Sequence, residues 1–250
     1  MDNENSDFRD GKNSGFFHKV GTGAKVLDSL LDGGLERGII TTLFGPAGSG
    51  KSNVAMLSAL SVAERGKKVV FIDTENSLSA ERIKQLKPQS YKQIIKNMII
   101  LEPTNFEEQK KFFSDLREIM ALEKPELIVV DSIAMLYRLQ LGSEAEIHTT
   151  NIEMAHQLAL LSELARKRNI PVLVTNQVYA DFETKNVKMV GGDLLKYWSK
   201  CIVKLESIDS VRRASIWKHR SMQAGKEVYF DINDAGLFEV PKPKKKFSLF

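Results

Sequence analysis

Gly45-Pro46-Ala47-Gly48-Ser49-Gly50-Lys51-Ser52 (GPAGSGKS) is the stretch on which the fold turns. It is a complete G-x-x-x-x-G-K-[ST] phosphate-binding loop. Gly45, Gly48 and Gly50 let the backbone turn tightly, so that successive N–H groups point inward at phosphate oxygens. Lys51 carries a point charge to the β- and γ-phosphates of a nucleotide, and Ser52 offers its hydroxyl to Mg2+. A helix opening here adds the positive end of its dipole to the same anion. The flanks agree: Ile39 to Phe44 reads as a β-rich apolar strand, and Asn53 to Arg65 reads as the helix.

Outward from the loop, apolar runs alternate with helical periodicity. Val69 to Ile72, Met98 to Leu101, Leu127 to Val130 and Pro171 to Val174 read as buried strands. Ala80 to Leu86, Asn105 to Leu122 and Ile152 to Arg168 read as helices, the second with Phe106, Phe113, Leu116 and Met120 on one stripe. Strands apolar on both faces and separated by helices predict an α/β fold with a mostly parallel sheet covered on both sides. After Gly191 the segments shorten. Cys201 to Glu206, Arg212 to Lys218 and Glu227 to Ile232 predict an antiparallel C-terminal edge. The expected organisation is a disordered N-terminal segment over 1–19, one domain over 20–240 and a flexible basic tail over 241–250.

With 42% hydrophobic and 27% charged residues, the chain has the make-up of an ordinary folded domain rather than a disordered or fibrous one. No apolar run approaches the roughly 20 residues of a membrane span. The start, MDNENSDFRDGKNSG, is polar and acidic, unlike a signal peptide. A cytoplasmic protein without a membrane partner is therefore expected. Cys201 is the only cysteine, which excludes an internal disulfide; its apolar neighbours predict a buried thiol. Lys242, Lys244, Lys245 and Lys246 equal the whole net charge of +4, so the body is neutral. Any argument for a nucleic-acid partner rests on local patches.

Three further strand ends carry candidate chemistry. Asp131 closes Leu127-Ile128-Val129-Val130 at the edge where open α/β sheets bind ligands, and can hold Mg2+ through water. Glu75, in Phe71-Ile72-Asp73-Thr74-Glu75-Asn76, is placed to activate water for in-line attack on a γ-phosphate. Asp73 competes for that role, and Glu75 alternatively caps the helix starting near Ser79. Gln177, in Leu173-Val174-Thr175-Asn176-Gln177, is placed to sense the γ-phosphate.

Together GPAGSGKS, FIDTEN, LIVVDS and LVTNQV resemble the RecA/RadA recombinase core, a RecA-like P-loop ATPase. The leader Thr22-Gly23-Ala24-Lys25-Val26-Leu27-Asp28-Ser29-Leu30-Leu31-Asp32-Gly33-Gly34-Leu35 resembles that superfamily's T-G-x-x-x-L-D-x-L-L-x-G-G segment. Gly191 to Lys200 and Lys218 through Val228 are similar to the RadB family, short archaeal paralogues of RadA. The resemblance spans about residues 20 to 240. It implies ATP and Mg2+ as cofactors, a role in DNA recombination and repair, weak binding of single- and double-stranded DNA, and assistance to a RadA-type recombinase. Full recombinases also carry an N-terminal helical DNA-binding domain and an F-x-x-A docking motif. Phe8-Arg9-Asp10-Gly11 and Phe16-Phe17-His18-Lys19 lack the alanine, so slow ATP hydrolysis and no autonomous strand exchange are expected.

In RecA-like proteins the loops after the second and third motif strands face DNA. Here they are roughly Tyr137 to Thr150 and Tyr179 to Val190, with Arg138, Tyr179, Phe182, Lys185 and Lys188 as candidate contacts and Arg212 and Arg213 adding charge. Lys218-His219-Arg220 matches the K-x-R pair of KaiC-like and helicase-type relatives, which implies that Arg220 is an arginine finger toward a neighbouring subunit. That pair also keeps open a KaiC-like signalling ATPase with no DNA role. The tail end, Lys244 to Phe250, either hovers near nucleic-acid phosphates or, through Phe247 and Phe250, resembles a truncated sliding-clamp peptide.

Overall fold

Ten strands hydrogen-bond into one sheet in the computed structural model, which describes residues 19–140, 144–180 and 187–243. In chain order they are β1 (Ile40–Gly45), β2 (Val69–Asp73), β3 (Met98–Leu101), β4 (Leu127–Asp131), β5 (Val172–Ala180), β6 (Val187–Met189), β7 (Cys201–Ile208), β8 (Val211–His219), β9 (Glu227–Asn233) and β10 (Gly236–Glu239). Their order across the sheet is β10-β9-β8-β7-β1-β5-β4-β2-β3, with β6 antiparallel to β5. The helices are α1 (Lys25–Leu30), α2 (Lys51–Glu64), α3 (Ala80–Leu86), α4 (Tyr91–Lys96), α5 (Phe106–Leu122), α6 (Met135–Leu139), α7 (Glu144–Arg168) and α8 (Gly192–Trp198).

The period of two explains why the central strands are apolar throughout. In β2, Val69 and Phe71 enter one core while Val70 and Ile72 enter the other. In β4, Leu127 and Val129 oppose Ile128 and Val130 in the same way. The first core packs against α1 to α4 through Leu27, Leu60, Ile83 and Ile94; the second packs against α5 to α8 through Phe113, Leu136, Leu158 and Leu195. Local signals set several helix starts. Asn105 caps α5 by accepting from Glu108 N (2.9 Å), and Glu108 returns a carboxylate to Thr104 N (2.7 Å). Ser79 caps α3 through Arg82 N (3.0 Å). In the leader, Asp28 accepts from Thr22 N (2.7 Å) and Thr22 Oγ1 (2.8 Å), closing the turn ahead of α1.

The expected α/β architecture is present, including the antiparallel C-terminal edge: β7, β8, β9 and β10 pair antiparallel in turn, and β7 joins them to the rest of the sheet by running parallel to β1. After β6 the chain returns through α8, so β7 enters the sheet from the same edge as β1. The stretch expected as a loop from Tyr137 to Thr150 is largely helical. Tyr137 lies buried in α6 and α7 opens at Glu144, with Thr150 buried against the body, so packing outweighs the poor helix propensity of its threonines. Cys201 is buried, and burial pushes its thiol up to about 12, which keeps it protonated and inert.

Candidate nucleotide-binding site

Four motif strands end in one row. Gly45 of β1 pairs in register with Gln177 of β5, and Asp73 of β2 with Asp131 of β4; these strands are neighbours in the order β1-β5-β4-β2. Parallel pairing thus delivers the phosphate loop, Gln177, Asp131 and the Asp73–Glu75 turn to the same carboxyl edge.

The phosphate loop bridges β1 and α2. Gly50, at φ 99°, is the N-cap of α2 and leaves the helix without a side-chain cap. No atom lies within 4 Å of where a Cβ on Gly48 would stand, so the loop is open above that glycine. Ser49 Oγ is buried without a partner. Lys51 is buried, and its Nζ donates to the carbonyls of Gly45 (3.0 Å) and Pro46 (2.9 Å). Burial pushes its ammonium pKa down, while the Glu75 and Asp131 carboxylates pull it back up. An uncapped helix start, an orphaned hydroxyl and a buried lysine together fit a polyphosphate.

Asp131 is buried, and burial raises its pKa; hydrogen bonds from Thr175, Ser77 and Ser52 oppose that rise, and the Glu75 charge adds to it. Ser77 Oγ donates to Asp131 Oδ2 at 2.8 Å. Among the described residues no group of three or more His, Cys, Asp or Glu side chains could hold a metal. Ser52 and Asp131 are instead a partial oxygen site of the kind Mg2+ occupies when phosphate oxygens complete its shell.

Asp73 and Glu75, undecided between from residue type alone, differ in their partners. Asp73 is buried and its carboxylate accepts from the N–H groups of Glu75 (3.2 Å), Ser77 (3.0 Å) and Leu78 (2.9 Å), so it holds the turn together. Glu75 Oε1 accepts from Ser132 Oγ (2.8 Å) and Gln177 Nε2 (2.8 Å), while its Oε2 takes no bond from a described residue. It does not cap α3, which Ser79 caps. One oxygen of Glu75 is thus anchored and the other is unbonded among the described residues.

Sequence reasoning missed the part played by the C-terminal strands. Arg212 Nε donates to Gly48 O (3.1 Å), and its guanidinium pairs with Asp231 (2.5 Å). A Cβ on Gly50 would meet Ile232 at 3.1 Å and Phe230 at 3.4 Å. The antiparallel strands therefore press on the phosphate loop. Arg213, read above as local charge toward DNA, is neutralised by Glu206 (2.6 Å) and Glu227 (3.4 Å).

The remaining candidates lie elsewhere. Arg220 follows β8 at the opposite edge of the sheet and pairs with Glu36, so it does not meet the phosphate loop of its own chain. Lys218 donates to Ser199 O (3.0 Å) and to Lys196 O at the end of α8. Arg138 is exposed on α6. Tyr179 and Lys188 are register partners across the β5–β6 pair. Lys185 and Phe182, the N-terminal phenylalanines, and Phe247 and Phe250 of the tail lie outside the described residues.

Comparison with known proteins gives consistent matches. The Rad51 family model matches residues 16–240. The chain is 39% identical over 227 residues to the DNA repair and recombination protein RadB of Methanobrevibacter smithii, covering 88% of this chain and 95% of that protein. It is 44% identical over 213 residues to the RadB of Methanococcus maripaludis strain C7, covering 85% and 97%. A solved structure described as a crystal structure of the RadB recombinase superposes with a TM-score of 0.75 at 34% identity, covering 89% of this chain and all of that one.

Proposed function

The chain belongs to the RadB family of DNA repair and recombination proteins, within the wider Rad51 family, and from that premise we propose that it is an ATP-gated accessory factor of homologous recombination. It hydrolyses ATP slowly, binds single- and double-stranded DNA weakly without sequence preference, and acts with a RadA-type recombinase. The ATPase domain spans 20–240; the segments 1–19 and 241–250 flank it, the latter offering lysines to DNA or Phe247 and Phe250 to a sliding clamp.

The observation that carries this reading is the anchored Glu75. Bound ATP with Mg2+ supplies the γ-phosphorus and the charge neutralisation that lets water attack it. Gly45 to Ser52 bind the phosphates through backbone N–H groups, and Lys51 exchanges its loop carbonyls for phosphate oxygens. Ser52 and Asp131 hold the cation. Ser132 and Gln177 fix Oε1 of Glu75, so Oε2 is oriented to take the proton from water. Gln177 also begins the part of β5 that continues into the β5–β6 pair, which ties water activation to a candidate DNA-facing segment. Arg220 lies too far along β8 to serve its own chain, so as a finger it serves a neighbour's nucleotide. A lone subunit lacks that contact, which is why turnover is slow.

The test is ATP turnover by the purified protein with and without single-stranded DNA over a range of protein concentrations. Turnover that DNA stimulates, and that rises per subunit with concentration, fits shared sites and a DNA role. Turnover indifferent to DNA, with no salt-dependent DNA binding, returns the KaiC-like signalling reading.

A further inference from the structure

At the amino edge of the sheet, opposite the nucleotide site, lies a cleft of about 490 Å³ lined by Arg37, Arg166, Lys200, Arg220, Tyr197 and Trp198. Lys200 enters it just before β7, where its N–H bonds Ile40 O at the start of β1. We propose that this cleft binds single-stranded nucleic acid, through phosphate contacts to its cations and base stacking on Tyr197. The proposal rests on the DNA reading above and names a site for it.

Three observations carry it. The first is charge. The side chains of Arg166 and Lys200 are exposed and make no hydrogen bond or ion pair with a described residue. Arg37 is held by Glu126 and by the Asn169 carbonyl (3.2 Å), and Arg220 by Glu36, each with guanidinium donors to spare. The second is the aromatic pair. Tyr197 is 72% exposed and stands nearly perpendicular to Trp198, ring centroids 5.3 Å apart, so most of its ring surface is open to solvent. A small inorganic anion gains little from such a ring, whereas an unpaired base stacks on it. The third is extent. A second cavity of about 510 Å³ shares Arg166 and Trp198 and continues along α7 past Glu163 and Lys167, which pair with each other at 2.9 Å. A single anion fills one cavity, whereas a strand follows both.

The experiment is fluorescence anisotropy of labelled dT20 with the full-length protein at several salt concentrations, alongside R166A/K200A and Y197A variants that melt as the wild type does. The expected result is weaker binding by R166A/K200A with a salt slope lower by about 1.4, from two lost phosphate contacts on a single strand. Tyr197→Ala is expected to weaken binding about tenfold with the slope unchanged. Both variants binding as wild type overturns the proposal. If only Arg138→Ala, Lys185→Ala or Lys188→Ala weakens binding, the strand lies on the loops; the cleft is wrong and the DNA reading stands. No binding by the wild type at low salt removes both. R166A/K200A that binds dT20 normally but lowers turnover only at high protein concentration assigns the cleft to a neighbour's nucleotide and overturns the proposal. Should either variant fail to fold, ultraviolet cross-linking of a 5-iodouracil oligonucleotide to the wild type decides. A cross-link to Tyr197 or Trp198 supports the cleft, and one confined to 179–190 excludes it.

Discussion

The two edges of this sheet are made by the same strands and carry opposite chemistry. At the carboxyl edge, Asp73 and Asp131 are buried and engaged by neighbouring hydroxyl and N–H groups, and the cation among them, Lys51, is buried as well. At the amino edge, Arg166 and Lys200 stand exposed beside an exposed tyrosine. Buried, hydrogen-bonded charges are pre-organised to stabilise one charge distribution, as phosphoryl transfer demands. Exposed, mobile cations tolerate many partners and respond to salt, as a backbone-binding surface does. The contrast separates a chemical edge from a holding edge, and each prediction below tries one side of it.

The broadest blow to the chemical edge is Lys51→Ala, which strikes nucleotide binding and chemistry together. It removes the one buried cation of the phosphate loop and should lower ATP turnover by about a hundredfold or more, the scale on which losing a pre-organised charge-stabilising donor is felt. Binding of dT20 at the amino edge should survive, as anisotropy would reveal; loss of both would mean the edges are not independent. Next is Glu75→Gln. With its amide placed between Ser132 and Gln177, nucleotide binding should persist in calorimetry while kcat falls about 10²- to 10⁴-fold. A kcat left unchanged would strip Glu75 of the base role.

Much of the carboxyl edge was readable from residue order alone, because its information is local. Lys51 and Ser52 close the contiguous loop that follows β1, Asp131 is the last residue of β4, and a parallel sheet brings such strand ends together without further instruction. The choice between Asp73 and Glu75 was not readable, since both follow β2 and differ only in which N–H groups and side chains they meet once the turn closes. The grip of Arg212 on Gly48 spans 164 residues, and the cleft draws on segments around Arg37, Arg166, Lys200 and Arg220. No periodicity or motif encodes such meetings. That β7 also runs parallel to β1 was not legible for a related reason: strand content is local, whereas a strand's second neighbour depends on where α8 returns the chain.

A smaller effect is expected where the chemical edge is scaffold rather than catalyst. Asp73→Asn trades a carboxylate that accepts three backbone N–H bonds for a neutral amide in a buried place. It should cost about 2–3 kcal/mol of stability, seen as an earlier denaturant midpoint with unchanged slope. A midpoint equal to that of the wild type would show that the turn does not need the charge.

The mildest test concerns His219, at the holding edge. Its Nδ1 accepts from the N–H groups of Ser221 and Met222, both at 3.1 Å, which requires the neutral ring. Burial lowers its pKa, Glu36 opposes the shift, and Lys19 and Arg220 add to it. The unfolded histidine takes up a proton near its ordinary pKa of about 6.5 while the folded one resists it. Stability contributed by the neutral ring is therefore full above that value and declines as pH falls through it toward the lower folded pKa. Thermal midpoints between pH 7.5 and 5 should fall less in His219→Asn than in the wild type. An equal fall would place the acid sensitivity elsewhere.

The clasp between Arg212 and Gly48 also bears on the order in which the protein is made. The phosphate loop is among the first segments to leave the ribosome, yet β5 and β7, which flank β1, and the arginine that presses on the loop are all translated far later. A nascent chain stopped before residue 212 carries every letter of the nucleotide motif and none of the C-terminal seat. The seating of the loop against its C-terminal neighbours is therefore completed late in synthesis.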